Sequence, residues 1–529
     1  MTEDVTPQWS QVPPGVKPGW VIASMCLAVV LVIASVSSLN VALPDIARGL
    51  GATSSQVQWI VDIFALVLAA LLLPAGALGD KFGRRKVMLI GFSMFVVAGI
   101  WATFAGDVTQ MLIARAVGGL GAALIFPGTL STITGSLPLD QRMKGIGLWA
   151  AAASLGGTIG SIGAGALIEV YWFGSIFLAL GIAAAAVGVL TLLFVPETND
   201  PEHANLDPVG AVLSLVGIAG LVFAITEGPV KGWTDLLTVA GFAAALVGLG
   251  GFARHELRTA RPLLDVRLFG QRAFRAGSIS IFVQFLAVFG FFFTASQYLA
   301  FVAGFSPLKV GLAFLPLGPF VPLMSAQAGK WSPKFGRGPV GGAGLLLMAA
   351  GCGVMGLIGT SSPYWVFAIG CILFGSGMGL AAPPATEAII DSLPPAKQGV
   401  ASAVNDLSRE LGGALGIAIL GSAMISGYRR TVGDAAASLP PGVIDAVRDS
   451  AAGGYQAAAD AGRDAPAVIG TIQSSVIGGY STAMWASAGV LILGAIYVAL
   501  RAPRGGNSDD VVVLADHDAD PSTTTSVEK

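Results

Sequence analysis

Acidic side chains lie inside apolar runs of this sequence, and two of them are the main candidates for function. Asp62 lies near the start of the run 58–78, and Glu410 lies in the middle of the run 399–425. An ionised carboxylate is costly in hydrocarbon, so acids in such runs usually serve an ion or substrate pathway. The chemistry that two such carboxyl groups offer is the binding and release of protons.

Glu410 has two charged neighbours on its own run. Asp406 lies one helical turn earlier, and Arg409 is within reach of Asp406. An Asp406–Arg409 ion pair that only orders the helix would leave Glu410 as the unpaired acid. We therefore expect Glu410 to be the main proton-coupling residue, with Asp62 next. The alternative for Asp62 is a place in the first turn of its helix, where an acid stabilises the positive end of the helix dipole.

Arg115 is a further charged residue in an apolar run, 109–132. A buried arginine must find an acid, a carbonyl oxygen or water as its partner. The sequence leaves two roles open for Arg115, which are support of a proton relay and a fixed structural contact between helices.

The run that contains Asp62 ends in a basic segment, "GDKFGRRK" (79–86). Its charges hold a loop at one membrane face, and glycines permit a tight turn there. We expect this loop to act in gating rather than in substrate contact, and topology control alone is the alternative. The gating candidates are Gly76, Asp80, Gly83, Arg84 and Arg85.

The composition indicates what must position these residues. Of 529 residues, 54% are hydrophobic and only 11% are charged, and the mean hydropathy is +0.76. So little charge could not cover a soluble protein of this length. The composition therefore predicts a polytopic membrane protein. The net charge of −2 gives no sign of a nucleic-acid partner.

The sequence does not indicate an enzyme. Three cysteines lie in apolar runs, and three histidines lie in polar connectors or the tail, so neither a metal site nor a catalytic triad is expected. No phosphate-binding loop of the Gly-x-x-x-x-Gly-Lys-Ser/Thr type occurs, which disfavours direct use of ATP. We expect no cofactor, and a proton gradient as the energy source.

The apolar runs predict fourteen membrane-spanning helices, because a span needs about 20 apolar residues and an isolated strand would leave its backbone unpaired in lipid. The predicted spans are 20–43, 58–78, 87–105, 109–132, 145–168, 174–195, 208–226, 235–253, 277–301, 307–328, 339–359, 363–385, 399–425 and 480–501.

Lysine and arginine set the predicted orientation. With the N-terminus in the cytoplasm, inner loops carry sixteen basic residues and the short outer loops carry three, Arg48, Lys231 and Lys309. We therefore expect a multi-pass protein of the bacterial inner membrane with both termini in the cytoplasm. In the outer loop 428–479, an amphipathic piece, 442–462, is expected to form a solvated helix, and the alternatives are a helix on the membrane surface and one that packs on the protein.

Internal repeats divide the chain. "GALGDKFGR" (76–84) matches "GKWSPKFGR" (329–337), and "LGGTIG" (155–160) matches "LGGALG" (411–416) at an offset of 256 residues. We therefore expect two six-helix copies with two inserted helices between them, and a binding site between the copies near the middle of the membrane. The predicted units are a cytoplasmic N-terminus (1–19), an N-terminal bundle (20–195), the insertion (196–276), a C-terminal bundle (277–502) and a disordered tail (503–529).

Small residues recur at four-residue spacing in both copies. Such faces let helices approach closely. The predicted packing residues are Gly156, Gly160, Gly165, Gly412 and Gly416.

Several motifs are similar to those of a known family. "GALGDKFGRRK" (76–86) resembles the loop signature of the major facilitator superfamily, and "RAVGGLGAALIFPGTL" (115–130) resembles its fourth-helix motif. "NVALP" (40–44), "WIVD" (59–62) and "NDLSRELGGALG" (405–416), with the fourteen spans, resemble the 14-helix drug–proton antiporters. This resemblance implies the all-helical major facilitator fold and the export of lipophilic, often cationic drugs in exchange for protons.

Two positions depart from the family pattern. Close relatives carry an aspartate five residues before "NVALP", where this sequence has Ser35. The Gly-Pro-x-x-Gly-Gly motif of the fifth helix reads Gly-Ser-Ile-Gly-Ala-Gly here, from Gly160 to Gly165. Proton coupling through the first helix is therefore not implied.

Three functions are compatible with these patterns. The first is proton-coupled export of lipophilic, cationic drugs by a monomer whose partners are the drug, protons and the bilayer. The aromatic residues of the ninth span could stack on flat cations, although facing lipid or packed protein is the favoured alternative for most of them. They are Phe282, Phe285, Phe289, Phe291, Phe292, Phe293 and Tyr298. The second is a dedicated exporter of one metabolite or antibiotic. The third is a receptor or assembly partner, for which Glu410 would have little use.

Overall fold

The computed structural model describes residues 17–52, 54–198, 207–259, 262–393, 398–435, 443–449, 451–460 and 464–502. The described residues form helices and connecting turns, with no strand among them. The predicted disordered tail, 503–529, lies outside the described residues, as do residues 1–16 of the predicted N-terminal segment. The α-helices are α1 (Pro18–Leu50), α2 (Ser54–Phe82), α3 (Arg84–Thr103), α4 (Val108–Ser136), α5 (Leu139–Val170), α6 (Gly174–Phe194), α7 (Pro208–Lys231), α8 (Leu236–Glu256), α9 (Arg272–Phe301), α10 (Pro307–Ala313), α11 (Phe320–Phe335), α12 (Arg337–Gly356), α13 (Tyr364–Ile390), α14 (Gln398–Ala435), α15 (Ile444–Asp449), α16 (Ala451–Asp460) and α17 (Ala465–Arg501).

Fourteen stretches of the described chain are long and apolar enough to cross a membrane, which confirms the predicted number of spans. The tenth span is interrupted, because a short 3₁₀ segment (Leu315–Leu317) separates α10 from α11. α14 and α17 have 38 and 37 residues. At about 1.5 Å per residue each exceeds the roughly 30 Å hydrocarbon core. The helix of the last span begins at Ala465, fifteen residues before the predicted start at 480, so its first turns extend beyond the predicted span.

The same helix pairings occur twice in the chain. α1 packs on α5 as α9 packs on α14, and α3 packs on α4 and α6 as α12 packs on α13 and α17. The inserted α7 and α8 pack on each other, and α7 lies against α2 and α14. Contacts between the two copies run from α2 and α4 to α14, and from α5 to α11 and α13. This is the predicted arrangement of two six-helix bundles plus two inserted helices.

Close helix approach occurs at the predicted glycines in equivalent pairs. A Cβ atom at Gly160 would collide with α1, and one at Gly412 or Gly416 would collide with backbone atoms of α9. At Gly156 a Cβ atom would lie 3.1 Å from Ile33 of α1, which is a tight contact. Gly165 also lies on α5 and is half-buried. The tight pairs α1–α5 and α9–α14 flank the interface between the copies.

The segment between α14 and α17 packs on the protein, so the prediction of a solvated helix is wrong. The Tyr428 hydroxyl donates to the Val447 carbonyl oxygen at 2.6 Å, and the Val447 side chain is fully buried. The Tyr455 hydroxyl donates to the Phe301 carbonyl oxygen. The apolar face of this amphipathic segment is covered by the protruding ends of α9, α14 and α17 instead of by water.

Candidate functional site

The α2–α3 turn contains most of the predicted gating residues. Gly83 separates the two helices with φ +107°, a backbone conformation that favours glycine. Gly76 lies inside α2, so the prediction that it permits the turn is wrong and Gly83 alone has that role. We call the end of the molecule that carries Lys81–Lys86 and Lys330–Arg337 the basic end.

Asp80 connects the two copies at the basic end. One of its carboxylate oxygens accepts hydrogen bonds from Arg84 Nε and Nη2, at 3.0 and 2.8 Å. The other accepts from the backbone N–H of Val400 at 3.2 Å. Val400 lies in the first turn of α14, where unpaired N–H groups and the helix dipole favour a negative charge. Asp80 is 1% exposed, so this contact between the copies is shielded from solvent.

Arg84 and Arg85 connect the α2–α3 turn to two other parts of the first copy. Arg84 Nη1 donates to the Ser131 carbonyl oxygen of α4 at 3.1 Å. The Arg85 side chain donates to the Val195 carbonyl oxygen, and its backbone N–H donates to Glu197 at 3.1 Å. The turn is thereby tied to the segment that follows α6.

The matching turn of the second copy is built differently. Pro333 occupies the position of Asp80, and Gly336 has φ +88° where Gly83 stands in the first copy. Arg337 pairs with Glu387 at 2.9 Å and with Asp391 at 2.6 Å, both near the end of α13. Sequence reasoning missed these two acids, although the repeated "KFGR" motif could have prompted a search for partners of Arg337.

A second charge contact joins the copies at the basic end. Burial lowers the pKa of the Arg142 guanidinium, and the nearby carboxylate of Asp391 offsets part of this shift. Arg142 belongs to α5 and Asp391 follows α13, so the attraction runs between the copies. A cavity of about 480 Å³ lies beside this region, with Lys334, Arg337 and Glu387 in its wall.

Arg115 lies in a small, largely apolar pocket and contacts α1 and α2 from α4. Its Nε donates to the Ile60 carbonyl oxygen at 3.1 Å, and its Nη1 donates to Ser35 Oγ at 3.4 Å. The guanidinium carbon lies 4.3 Å from the centre of the Phe64 ring. The unpartnered Nη2 faces this pocket, whose cavity of about 20 Å³ has room for one water molecule. Ser35, the departure from the family pattern, is therefore a direct partner of Arg115.

Asp62 lies near this pocket and two turns inside its helix. α2 begins at Ser54 and has no acidic residue in its first turn, so the helix-dipole alternative for Asp62 is wrong. The Asp62 side chain is half-buried and has a polar or electrostatic partner. Arg115 reaches the carbonyl oxygen of Ile60, two residues before Asp62.

The second charged cluster lies on α14. The predicted Asp406–Arg409 ion pair is absent, since no carboxylate oxygen of the described residues lies within 4.0 Å of the Arg409 guanidinium nitrogens. Arg409 instead lies between two aromatic rings, 4.6 Å from the centre of Trp149 and 4.5 Å from the centre of Phe285. Trp149 belongs to α5 of the first copy and Phe285 to α9 of the second. Arg409 thus bridges the two copies.

A chain of hydrogen bonds orients Asp406. Thr386 Oγ1 donates to Asn405 Oδ1 at 3.1 Å, and Asn405 Nδ2 donates to Asp406 Oδ1 at 3.2 Å. Asp406 is fully buried, and its other oxygen, Oδ2, has no hydrogen-bond partner. Asp406 is therefore a fixed carboxyl group with one unused oxygen.

Glu410 is the half-buried member of this cluster. Among the described residues it makes no hydrogen bond or ion pair, and the charged groups near enough to influence it are Asp406 and Arg409. The sequence predicted Glu410 as an unpaired acid, and the geometry agrees. Trp149 and Asn405 were missed, because neither carries a charge and both lie in ordinary helical positions.

The described residues contain no group of three or more His, Cys, Asp or Glu side chains that could hold a metal ion. The structure groups the predicted residues into three sets. The first set consists of Arg115, Ser35 and Ile60, close in sequence to Asp62. The second set consists of Asp406, Arg409 and Glu410, and the third is the Asp80 turn. The first two sets lie within the spans, and the third lies at the basic end.

Three kinds of comparison with known proteins bear on this architecture. The sequence model of the Major Facilitator Superfamily matches residues 25–417. The multidrug efflux pump LfrA of Mycolicibacterium smegmatis is 34% identical over 444 residues, which are 83% of this chain and 88% of that protein. The methylenomycin A resistance protein of Streptomyces coelicolor is 32% identical over 412 residues, which are 78% of this chain and 86% of that protein.

Solved structures share the fold at low sequence identity. The human organic anion transporter MFSD10 is matched with a TM-score of 0.61 at 16% identity, over 92% of this chain and all of that one (100%). The proton:xylose symporter XylE is matched with a TM-score of 0.59 at 16% identity, over 93% and 98% of the two chains. Identities this low show the fold and say nothing about substrate.

Proposed function

We propose that this chain, which belongs to the major facilitator superfamily, exports lipophilic, cationic drugs in exchange for protons. Members of this superfamily are transporters rather than enzymes. Curated relatives at 31–34% identity are named for efflux of, or resistance to, drugs and methyl viologen. These names support drug export. The proposals of proton coupling and of a positively charged substrate depend on the site residues.

The observation that carries the proposal is the charged cluster on α14. Asp406, Arg409 and Glu410 lie about 12–18 Å from the start of α14 at about 1.5 Å per residue, which is near the middle of a span. Acids at this depth are costly and usually serve an ion or substrate path. Arg409 contacts Trp149 of the other copy, so the cluster lies where alternating access would change its surroundings.

We assign the proton-coupling role first to Glu410 and then to Asp62. Glu410 has no hydrogen-bond or ion-pair partner among the described residues and is half-buried, so a proton or a cation can reach it without breaking an existing bond. Asp406 is oriented by Asn405 and presents its free oxygen on the same face. Arg115 supports the first copy by fixing α4 to α1 and α2.

The Asp80 turn is the proposed gate. Its hydrogen bond to the Val400 N–H joins the first copy to the first turn of α14, and this helix also carries the proton-coupling cluster. Separation of the copies at the basic end must break this bond. A change at Glu410 and an opening at Asp80 therefore act on one rigid helix.

We propose that the protein works as a monomer in a bacterial inner membrane, with the basic end in the cytoplasm. The excess of lysine and arginine at that end is the supporting observation. The proton gradient would supply the energy, and no cofactor is required.

A dedicated exporter of one antibiotic is the second candidate. Its support is the relative named a methylenomycin A resistance protein, at 32% identity. A receptor or assembly role has no supporting observation, because it leaves the α14 cluster unexplained.

Transport by inverted membrane vesicles tests the proposal. Vesicles that contain the protein should take up ethidium when a pH gradient is imposed, and should lose it when the gradient is collapsed. Uptake that ignores the gradient would exclude proton coupling. Uptake of one antibiotic but of no cation would favour the dedicated exporter.

A further inference from the structure

The aromatic pair that surrounds Arg409 is a complete recognition site for a positive charge. The guanidinium carbon lies 4.6 Å from the Trp149 ring centre and 4.5 Å from the Phe285 ring centre. Both distances are within the range in which a cation is attracted by the negative face of an aromatic ring. Trp149 is fully buried, and Phe285 and Arg409 are nearly so.

Both rings are held in place by other contacts. The Trp149 indole N–H donates to Thr129 Oγ1 at 2.9 Å, which fixes the ring on α5. Phe285 packs near Phe289, with ring centres 6.2 Å apart. The two faces therefore do not depend on Arg409 for their position.

Arg409 itself is held weakly for a buried charge. Its Nε and Nη1 atoms have no hydrogen-bond partner, and no described carboxylate lies within 4.0 Å. Buried arginines usually form charge-assisted hydrogen bonds, which are stronger than contacts with ring faces. The side chain is long and flexible, so it can leave the rings without moving α14.

Other positions are within reach of the displaced side chain. Arg409 is close enough to Asp406 and Glu410 on its own helix for electrostatic interaction, and Asp406 Oδ2 has no hydrogen bond to lose. An Arg409 side chain that left the rings would find the Asp406 carboxyl group one turn earlier on its own helix.

We propose that Trp149 and Phe285 form the binding site for the charged group of an aromatic or quaternary-ammonium cation, and that Arg409 occupies this site until the substrate displaces it. The displaced guanidinium then pairs with Asp406, whose Oδ2 has no hydrogen-bond partner. This inference rests on the proposed export of cations and names the residues that recognise the charge. Because the two rings belong to different copies, the site is complete only while α5 and α9 face each other.

Binding of ethidium to the purified full-length protein tests the inference. Trp149→Ala and Phe285→Ala should each weaken binding, by roughly tenfold for the loss of one buried cation–π contact. Trp149→Phe keeps an aromatic face and should bind within about threefold of the wild type. Phe293→Ala is the matched control, since Phe293 lies on the same helix but is 38% exposed and has no cation–π contact with Arg409.

Arg409→Ala gives the opposite and more specific result. Removal of the internal competitor should strengthen ethidium binding by roughly three- to tenfold. The gain should disappear in Arg409→Ala/Trp149→Ala and in Arg409→Ala/Phe285→Ala. A gain that persists in both double variants would mean that the lost positive charge alone attracts ethidium, and would overturn the inference.

The remaining outcomes are also decisive. Weaker binding of ethidium by Arg409→Ala would overturn the displacement, and loss of 9-anthracenecarboxylate binding in that variant would assign Arg409 to an anionic substrate instead.

Size-exclusion profiles identify any alanine variant that fails to fold, and Phe285→Ala and Trp149→Phe test opposite faces independently. Normal ethidium binding by both single-ring variants, with normal vesicle uptake by the wild type, would refute this inference and leave the proposed function intact. A wild-type protein that neither binds nor exports ethidium or other organic cations would refute both.

Discussion

The two buried arginines of the spans are held in different ways. Arg115, in the first copy, donates to a backbone carbonyl and a serine hydroxyl and also lies on the Phe64 ring. Arg409, in the second copy, lies between two rings and leaves two of its N–H groups unpaired. Hydrogen bonds with fixed geometry make Arg115 a structural contact, whereas ring faces let Arg409 be exchanged for another cation.

The repeat makes this contrast sharper. At the 256-residue offset, Arg115 corresponds to Cys371, and Arg409 corresponds to Ala153. Neither arginine has a counterpart in the other copy, although the helices around them pack in the same order. The shared fold therefore supplies two equivalent frames, and function depends on the side chains that break the symmetry.

The largest expected effect is on stability, from replacing Arg115. Arg115→Ala removes the hydrogen bonds to Ile60 O and Ser35 Oγ, and loss of a buried hydrogen bond from a charged group costs about 1.5–3 kcal/mol. Arg409→Ala removes no hydrogen bond from another group, so it should lower the free energy of unfolding much less than Arg115→Ala does. Thermal unfolding of the two purified variants measures the difference. Equal losses of thermal stability would mean that Arg409 is as fixed as Arg115.

The next effect concerns the two basic turns. Asp80→Asn keeps the shape of the side chain but removes the charge that faces the first turn of α14. The helix-dipole and charge-assisted contacts contribute about 0.5–1 kcal/mol each, so their loss should reduce ethidium export by roughly tenfold. Arg337→Ala is the comparison in the second copy, because Arg337 is 39% exposed and contacts only its own copy in the described ion pairs. It should reduce export by less than about threefold, since exposed pairs contribute little.

Export rates in vesicles with matched expression decide between these outcomes. A larger loss from Arg337→Ala than from Asp80→Asn would place the gate in the second copy. Lys81→Gln controls for the loss of one charge at the same turn, and we expect it to leave export nearly unchanged.

Sequence reasoning reached the fold because its signals are physical necessities of a membrane. Spans of about 20 apolar residues and the paired Gly412 and Gly416 on α14 follow directly from helix geometry and packing. The site was only partly predictable. Glu410 was recognised as an unpaired acid. The predicted Asp406–Arg409 pair was wrong, because Arg409 contacts Trp149 instead, and Trp149 lies 260 residues away in sequence and on another helix.

The wrong alternative for Asp62 and the wrong role for Gly76 have a different cause. A hydropathy pattern locates the membrane-embedded part of a helix, whereas α2 begins at Ser54 and continues to Phe82. Asp62 was therefore placed too near the helix start, and Gly76 too near the turn. Similarly, no local pattern indicated that the segment around Val447 would be covered by the ends of α14 and α17.

The smallest expected effect comes from restoring the family residue on α1. Ser35→Asp would place a carboxylate beside Arg115, whose Nη1 now lies 3.4 Å from Ser35 Oγ. A buried ion pair often gains little over a neutral contact, so stability should change by less than about 1.5 kcal/mol. We expect ethidium export to persist, with a changed dependence on external pH. An unaltered pH profile would show that α1 takes no part in coupling even when it carries an acid.

The most direct test of the account is proton movement driven by substrate at the α14 cluster. Purified wild-type protein and Glu410→Gln are reconstituted in liposomes with an internal pH-sensitive dye, and ethidium is added outside without an imposed gradient. We predict that ethidium entry drives counterflow of protons through the wild-type protein, and that Glu410→Gln binds ethidium but moves no protons. An equal proton flux in the two proteins, or ethidium entry with no proton flux in the wild type, would contradict the account.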